Sequence, residues 1–188
     1  MSSSSDIRRV LRRLKTSERR TKLQHRERSA LPFVTDTDVI PKLLLDTTVY
    51  IDELQAKLPR DVELLLRSPY LWHSSVTEAE LSALAGLLDP AHPDTAQAHH
   101  QVFATIEHRP NHRIVNPDRE TWREAGILAG MLARLQQYGK VEQRKTLNDA
   151  LIFLSAAKEG LTVLTRNISD FDLLSQLEPQ GKVLFYTI

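Results

Sequence analysis

The stretch Lys42-Leu43-Leu44-Leu45-Asp46-Thr47-Thr48-Val49-Tyr50-Ile51 decides the fold. Leu43–Leu45 is apolar on both faces and too short to be a helix core. That is the pattern of a strand buried inside a parallel sheet. Asp46 ends the run, and a helical pattern follows at once. In open parallel sheets, ligands bind beyond the carboxyl ends of the strands, so a carboxylate in this place faces a crevice.

The alternation continues outward. Thr48 to Ala56 predicts a helix, and a second short one follows Pro59 through Val62, Leu65 and Leu66. Tyr70–Ser74 reads as a strand. Thr77 to Leu88 reads as a helix ended by Asp89-Pro90, with Thr77 as its cap and Glu80 at the third position, which is a capping box. Pro93 to His108 is a further helix and Arg113–Val115 a further strand. Asp118 caps a long helix from Arg119 to about Tyr138, with Gly139 as its stop. Gln143 to Leu147 reads as a polar loop. Thr146 or Asn148 then caps an apolar helix to Glu159, ended by Gly160. Leu161–Leu164 and Val183–Tyr186 complete the strands. The class is α/β, with a mostly parallel sheet of about five strands.

Four acids stand at strand ends or expected helix starts: Asp46, Glu80, Asp149 and Asp170. Carboxylates from distant segments repel one another when a fold gathers them, and a divalent cation is the usual reason they converge. Hard oxygen ligands suit Mg²⁺ or Mn²⁺. Each acid also has a plainer reading: Asp46 can cap its helix, and Glu80 can serve the capping box. Glu78 reads as a solvated, dipole-compensating acid. Thr48 can hold Asp46 or act as an ordinary helix-start residue. Thr165-Arg166-Asn167 is a polar triplet directly after a buried strand, and Arg166 can meet a phosphate or brace an acid.

Composition removes several classes. The chain has no cysteine, so no disulfide framework, thiolate metal site or cysteine nucleophile exists. That suits a cytoplasmic setting. No apolar run approaches the roughly 20 residues that span a bilayer, and no secretory signal is expected. Gly-rich phosphate loops and a GxSxG elbow are missing. The seven histidines, with His99-His100 adjacent and His92, His108 and His112 near helix ends, read as surface or structural residues. A dehalogenase-like phosphotransferase needs an acid two residues after the first strand's Asp, and Thr48 stands there instead.

Net charge is +1, but residues 1–28 hold 10 Lys/Arg against 3 Asp/Glu and the rest hold 15 against 21. A basic leader therefore precedes an acidic body. Ile7, Val10, Leu11 and Leu14 recur at helical spacing among Arg8, Arg9, Arg12 and Arg13. This predicts a short amphipathic helix that needs a partner. Residues 1–40 are expected to be a flexible or partly helical extension, with Pro32 to Pro41 as an extended linker. With Arg19 and Arg20, these arginines could contact nucleic-acid phosphates, or the leader could lie on an acidic surface, its own or a partner's.

The motifs together resemble a PIN domain, specifically the VapC-type toxin ribonucleases. The resemblance covers about residues 43–188. It rests on Leu45-Asp46-Thr47-Thr48-Val49, Thr77-Glu78-Ala79-Glu80-Leu81, Asn148-Asp149-Ala150-Leu151-Ile152 and Leu164-Thr165-Arg166-Asn167-Ile168-Ser169-Asp170-Phe171. It implies a three-layer α/β/α fold and RNA cleavage dependent on Mg²⁺ or Mn²⁺. Asp46, Glu80, Asp149 and Asp170 become the catalytic and metal-holding acids, supported by Thr48, Thr165, Arg166 and Asn167. A dimer and a cognate antitoxin covering the active-site groove are also implied. The chain departs from the pattern at Asn167, where some relatives carry an acid, and in its basic leader. The alternative is an inactive scaffold of the same fold, or a nucleic-acid-binding protein that uses the leader.

Overall fold

The computed structural model describes residues 3–34 and 41–188, with side chains from Ile7 onward. Most of the expected linker, residues 35–40, lies outside the described residues. The elements are α1 (Ser3–Arg13), β1 (Leu43–Leu45), α2 (Thr47–Leu54), α3 (Arg60–Leu66), β2 (Leu71–Ser74), α4 (Ser75–Gly86), α5 (Thr95–Glu107), β3 (Ile114–Val115), α6 (Arg119–Gln136), α7 (Lys140–Lys158), β4 (Thr162–Thr165), α8 (Ile168–Leu177) and β5 (Lys182–Phe185). The sheet order is β3-β2-β1-β4-β5 and every pairing is parallel. The chain moves outward from β1 to β3, then returns to place β4 on β1's other side. The strand order therefore reverses between β1 and β4, which is where such sheets open a crevice.

Successive side chains on a strand point to opposite faces, and the core divides accordingly. Leu44, Val163, Val183 and Phe185 pack with α6, α7 and α8. Leu43, Leu45, Leu164 and Tyr186 pack with Val49, Tyr50, Val62 and Leu81 on the other face. Three layers result, with the sheet covered on both sides. Among the described residues, no helix is long and apolar enough to cross a membrane.

The structure corrects several local expectations. α4 starts two residues before Thr77, because the Ser74 side chain takes the cap and accepts from Val76 N. Thr77 is inside the helix and fully buried, so the capping box does not form. Gly139 does not stop α6. Gln137 adopts the left-handed conformation at φ 59°, and Gly139 caps α7 instead. The expected polar loop from Gln143 to Leu147 is helical, as part of α7. Gln, Arg, Lys and Leu are good helix formers, and their polarity here marks an exposed helix surface. Gly160, at φ +67°, does end α7. Asp118 does cap α6, accepting from Thr121 N at 2.9 Å.

The described part of the leader lies against the body. Val10 and Leu14 are buried in the α6–α7–α8 core. Arg13 reaches Glu124 at 3.1 Å and the buried Glu178 at 3.0 Å, while Arg9 meets Glu120 at 3.4 Å. Arg134 of α6 donates to the carbonyls of Thr16 and Arg19. Phe33 forms a parallel bridge with Phe185, which covers the free edge of β5. Asp172 on α8 is fully buried, and its oxygens accept from Arg26 N at 2.9 Å and Arg26 Nε at 2.6 Å. Burial would push this carboxyl up, but the bonds from Arg26 outweigh it and hold it below the usual range. The leader is thus a strap, docked on acids of its own chain.

Replacing Arg26 by Ala leaves a buried carboxylate short of donors. The loss at pH 7 is expected to be about 2 kcal/mol, inside the roughly 1–3 kcal/mol that an unsatisfied buried acceptor costs. A depressed carboxyl stabilises the fold above its unfolded value and loses that effect as pH falls through its folded one. Urea unfolding of parent and variant should therefore converge as pH drops below about 4. A gap that stays constant with pH would rule out the Asp172 pairing as its source.

Candidate active site

Asp46 leaves β1 beside the end of β4, with its N–H bonded to Leu164 O at 3.1 Å. It caps α2, and Thr48 N, Thr48 Oγ1 and Thr165 Oγ1 all donate to its Oδ2, at 3.3, 2.7 and 2.7 Å. These bonds fix the carboxylate and leave Oδ1 for another partner. Asp46 is only 2% exposed. Burial pushes its carboxyl up, against the opposing pull of the Thr48 and Thr165 hydroxyls.

Asp149 is the tenth residue of α7, not part of its first turn as the sequence suggests. It therefore gains nothing from the positive end of the helix dipole, which fades within the first turn. It is 5% exposed. Burial, then the charges of Asp46, Asp170 and Glu80, push its carboxyl well above the usual range. Its one hydrogen bond among the described residues is a long one from Asn167 Nδ2, at 3.4 Å.

Glu80 sits in the second turn of α4. Thr47 Oγ1 donates to one of its oxygens, and Asn148 Nδ2 donates to the other at 2.8 Å. Asp170 is in the first turn of α8, where Asn167 caps the helix and donates Nδ2 to Asp170 Oδ2 at 2.9 Å. Tyr138 lies against Asp170, so burial and that carboxylate raise its phenol.

Asp46, Glu80 and Asp149 line one crevice of about 830 Å³, with Thr48, Asn148, Arg166 and Asn167. Asp170 joins it through Asn167. Arg144 and Lys145 stand on the rim, both exposed, and Leu84 and Ile168 add apolar wall. Among the described residues, no three acids or imidazoles form a closed ligand set for an ion. The bonds from Thr48 and Thr165 on Asp46, from Thr47 and Asn148 on Glu80, and from Asn167 on Asp149 and Asp170 hold the four acids as separate oxygens around the crevice.

Arg166 lines the crevice and also braces an acid. It pairs with the buried Asp52, Nε to Oδ2 at 2.6 Å and Nη2 to Oδ1 at 3.0 Å, and Tyr186 adds a third bond to Asp52. This brace joins α2 to the end of β4. Its backbone N–H donates to Thr48 Oγ1, so the brace also sets the threonine that holds Asp46. Asp52, Thr47, Asn148 as a partner of Glu80, and the Arg144–Lys145 rim escape the sequence reading. A carboxylate one helical turn into α2 was the available signal for Asp52. Among the histidines, His73 meets Tyr50 and His99 meets Ala85 O. Burial lowers His73 to about 4. Of the leader arginines, Arg9 and Arg13 meet body acids, Arg8, Arg12 and Arg20 are exposed, and Arg19 is half-buried.

Several solved structures share this architecture. VapBC2 from Rickettsia felis, bound to a promoter DNA fragment, is 19% identical at a TM-score of 0.50, covering 77% of this chain and 98% of that one. DNA-bound VapBC from Salmonella typhimurium is 22% identical at 0.52, covering 76% and 96%. FitAcB from Neisseria gonorrhoeae is 23% identical at 0.52, covering 77% and 96%. At these identities the likeness is one of fold. No curated protein matches the chain. The family model described as the PIN domain matches residues 43–174, from β1 through most of α8. By that match, and by the carboxylates gathered at the ends of β1 and β4, the chain belongs to the PIN domain family.

Proposed function

We propose that the chain is a metal-dependent endoribonuclease and the toxin of a toxin–antitoxin pair. One observation carries the nuclease reading. Among the described residues, five acids are buried: Asp46, Asp52, Asp149, Asp172 and Glu178. Three have an arginine, namely Arg166, Arg26 and Arg13. Asp46 and Asp149 have none within ion-pair distance among the described residues. A buried carboxylate without a counter-cation is strongly unfavourable. The donor set is all oxygen, which fits Mg²⁺ or Mn²⁺.

Asp46 and Asp149 would hold the ion, with Glu80 and Asp170 beside them. The open arrangement suits an ion that keeps waters and shares phosphate oxygens with its substrate, rather than one caged by protein. When bound, such an ion supplies charge neutralisation at the phosphate and acidifies a water. Thr48 and Thr165 orient Asp46, and Asn167 orients Asp149 and Asp170. Arg144 and Lys145 would bind flanking phosphates from the rim. Arg8, Arg12 and Arg20 would add phosphate contacts along the strap. The choice of RNA rests on the resemblance to VapC-type toxins.

An antitoxin would cover the crevice. Leu84 on its wall is 42% exposed, Leu87 at the C-terminal cap of α4 is 80% exposed, and Phe103 on α5 is 46% exposed. Apolar surface at the mouth of a site is suited to a protein partner. A second copy of the chain is the other partner that the resemblance implies.

Asp46→Asn and Asp149→Asn should each lower metal-dependent RNA cleavage by at least about 100-fold, the scale expected when the several kcal/mol of charge stabilisation supplied by the ion is lost. Circular dichroism should be unchanged. Asn variants that cleave like the parent would exclude this mechanism.

Without a divalent ion, Asp149→Asn relieves like-charge repulsion. Its unfolding midpoint should rise by about 2–4 °C, corresponding to roughly 1 kcal/mol in a chain of this size. Mn²⁺ should raise the parent's midpoint and leave the variant's nearly unmoved. Equal responses to Mn²⁺ would remove the ion from Asp149.

A further inference from the structure

We infer that the cavity beside Trp122 is a stacking subsite for one unpaired nucleobase of the strand cut at the carboxylate crevice. The inference rests on the nuclease reading and adds how that site grips its substrate.

A second cavity, of about 340 Å³, adjoins the crevice. Glu80 and Asn148 line both, so the two spaces meet along that hydrogen-bonded pair. The floor is the small-residue face of α4, with Ser75, Ala79 and Ala83. Trp122 in the first turn of α6 forms a wall, with Asn116 and Pro117 before it. The volume falls in the small-ligand range of roughly 300–1,000 Å³. Trp122 is 49% exposed, an unusual place for a large aromatic ring on a chain with two tryptophans.

The occupant follows from chemistry and charge. An aromatic ring and side-chain amides lining one cavity are the groups on which unpaired bases stack and are hydrogen-bonded. The amides belong to Asn116 and Asn148. The body beyond residue 28 holds 21 Asp/Glu against 15 Lys/Arg, so it repels a polyanion overall. Arg13 and Arg26 of the strap are already bound to Glu178 and Asp172. Phosphate contacts from the Arg144–Lys145 rim and from Arg8, Arg12 and Arg20 work against that repulsion, and a contact independent of net charge adds to them. Stacking supplies one, worth roughly 5- to 150-fold in affinity per base. A strand lying from the Arg144–Lys145 rim across Glu80 to Trp122 would place a phosphate at the acids and a neighbouring base on the ring. Paired bases are already stacked in their duplex and cannot enter.

The test measures fluorescence anisotropy of a labelled, mixed-sequence single-stranded oligoribonucleotide with the full chain in EDTA, which prevents cleavage. Trp122→Ala should weaken binding about 10-fold, and Trp122→Phe should stay near the parent. Binding of an RNA hairpin stem should not change. In a Trp72→Phe background, Trp122 is the sole tryptophan, and its emission should be quenched by the single strand and not by the stem. Undiminished affinity of Trp122→Ala for the single strand overturns the subsite, and assigns the exposed ring to a protein interface. Equal losses on strand and stem overturn it too. A parent that cleaves RNA with Mn²⁺ while Trp122→Ala binds normally leaves the nuclease reading standing alone. A parent that cleaves no RNA overturns both.

Discussion

Like-charge repulsion in a dry place is the constraint on which this structure turns. A parallel sheet brings the ends of β1 and β4 together, and the chain puts Asp46 at one and Thr165 to Asn167 at the other. α7 then adds Asp149 from mid-helix, where no backbone dipole offsets its charge. The fold answers with neutral donors, namely hydroxyls on Asp46 and Glu80 and an amide on Asp149 and Asp170. Neutral donors orient a carboxylate without cancelling it. The residual negative potential is what makes the crevice a place for a cation.

Elsewhere the same chain treats buried acids differently. Asp52 receives both prongs of the Arg166 fork, and Asp172 receives Arg26 through backbone and side chain. These pairs join distant segments: α2 to the end of β4, and the leader to α8. Arg166 works at one remove from the site, because its N–H holds Thr48 and Thr48 holds Asp46. Charge compensation therefore builds the frame, and its absence defines the site.

Much of this was legible in the chain. Leu43–Leu45 ending in Asp46 implies the parallel sheet, and the order of the acids implies their meeting, because local patterns encode both. The failures share a cause. Gln143 to Leu147 is polar because one face of a helix is wet, and a polar run alone does not separate helix surface from loop. Taking it as a loop moved Asp149 to a helix start, nine residues from where α7 begins. Thr77 lost its cap to Ser74, three residues earlier, whose side chain accepts from Val76 N and starts the helix at Ser75. Pairs such as Arg166 with Asp52, or Arg26 with Asp172, join residues more than 100 positions apart. No periodicity carries that information. The helical spacing of Val10 and Leu14 showed that α1 needs a partner but not that α6 supplies it.

The strap leaves a mark that can be read in other sequences. A buried carboxylate is tolerated where a cation comes with it, and apolar residues of similar size otherwise serve as well or better. Asp172 and Glu178 lie in the body, while Arg26 and Arg13 lie in the leader. Descent should therefore couple them. A homologue that lacks the leader has no reason to keep acids at these two places and should fill them with leucine, methionine or another neutral side chain. A homologue that keeps both acids should carry arginines upstream, however far the intervening residues have drifted. The two positions thus become a test, on sequence alone, of where in the family tree the strap was acquired.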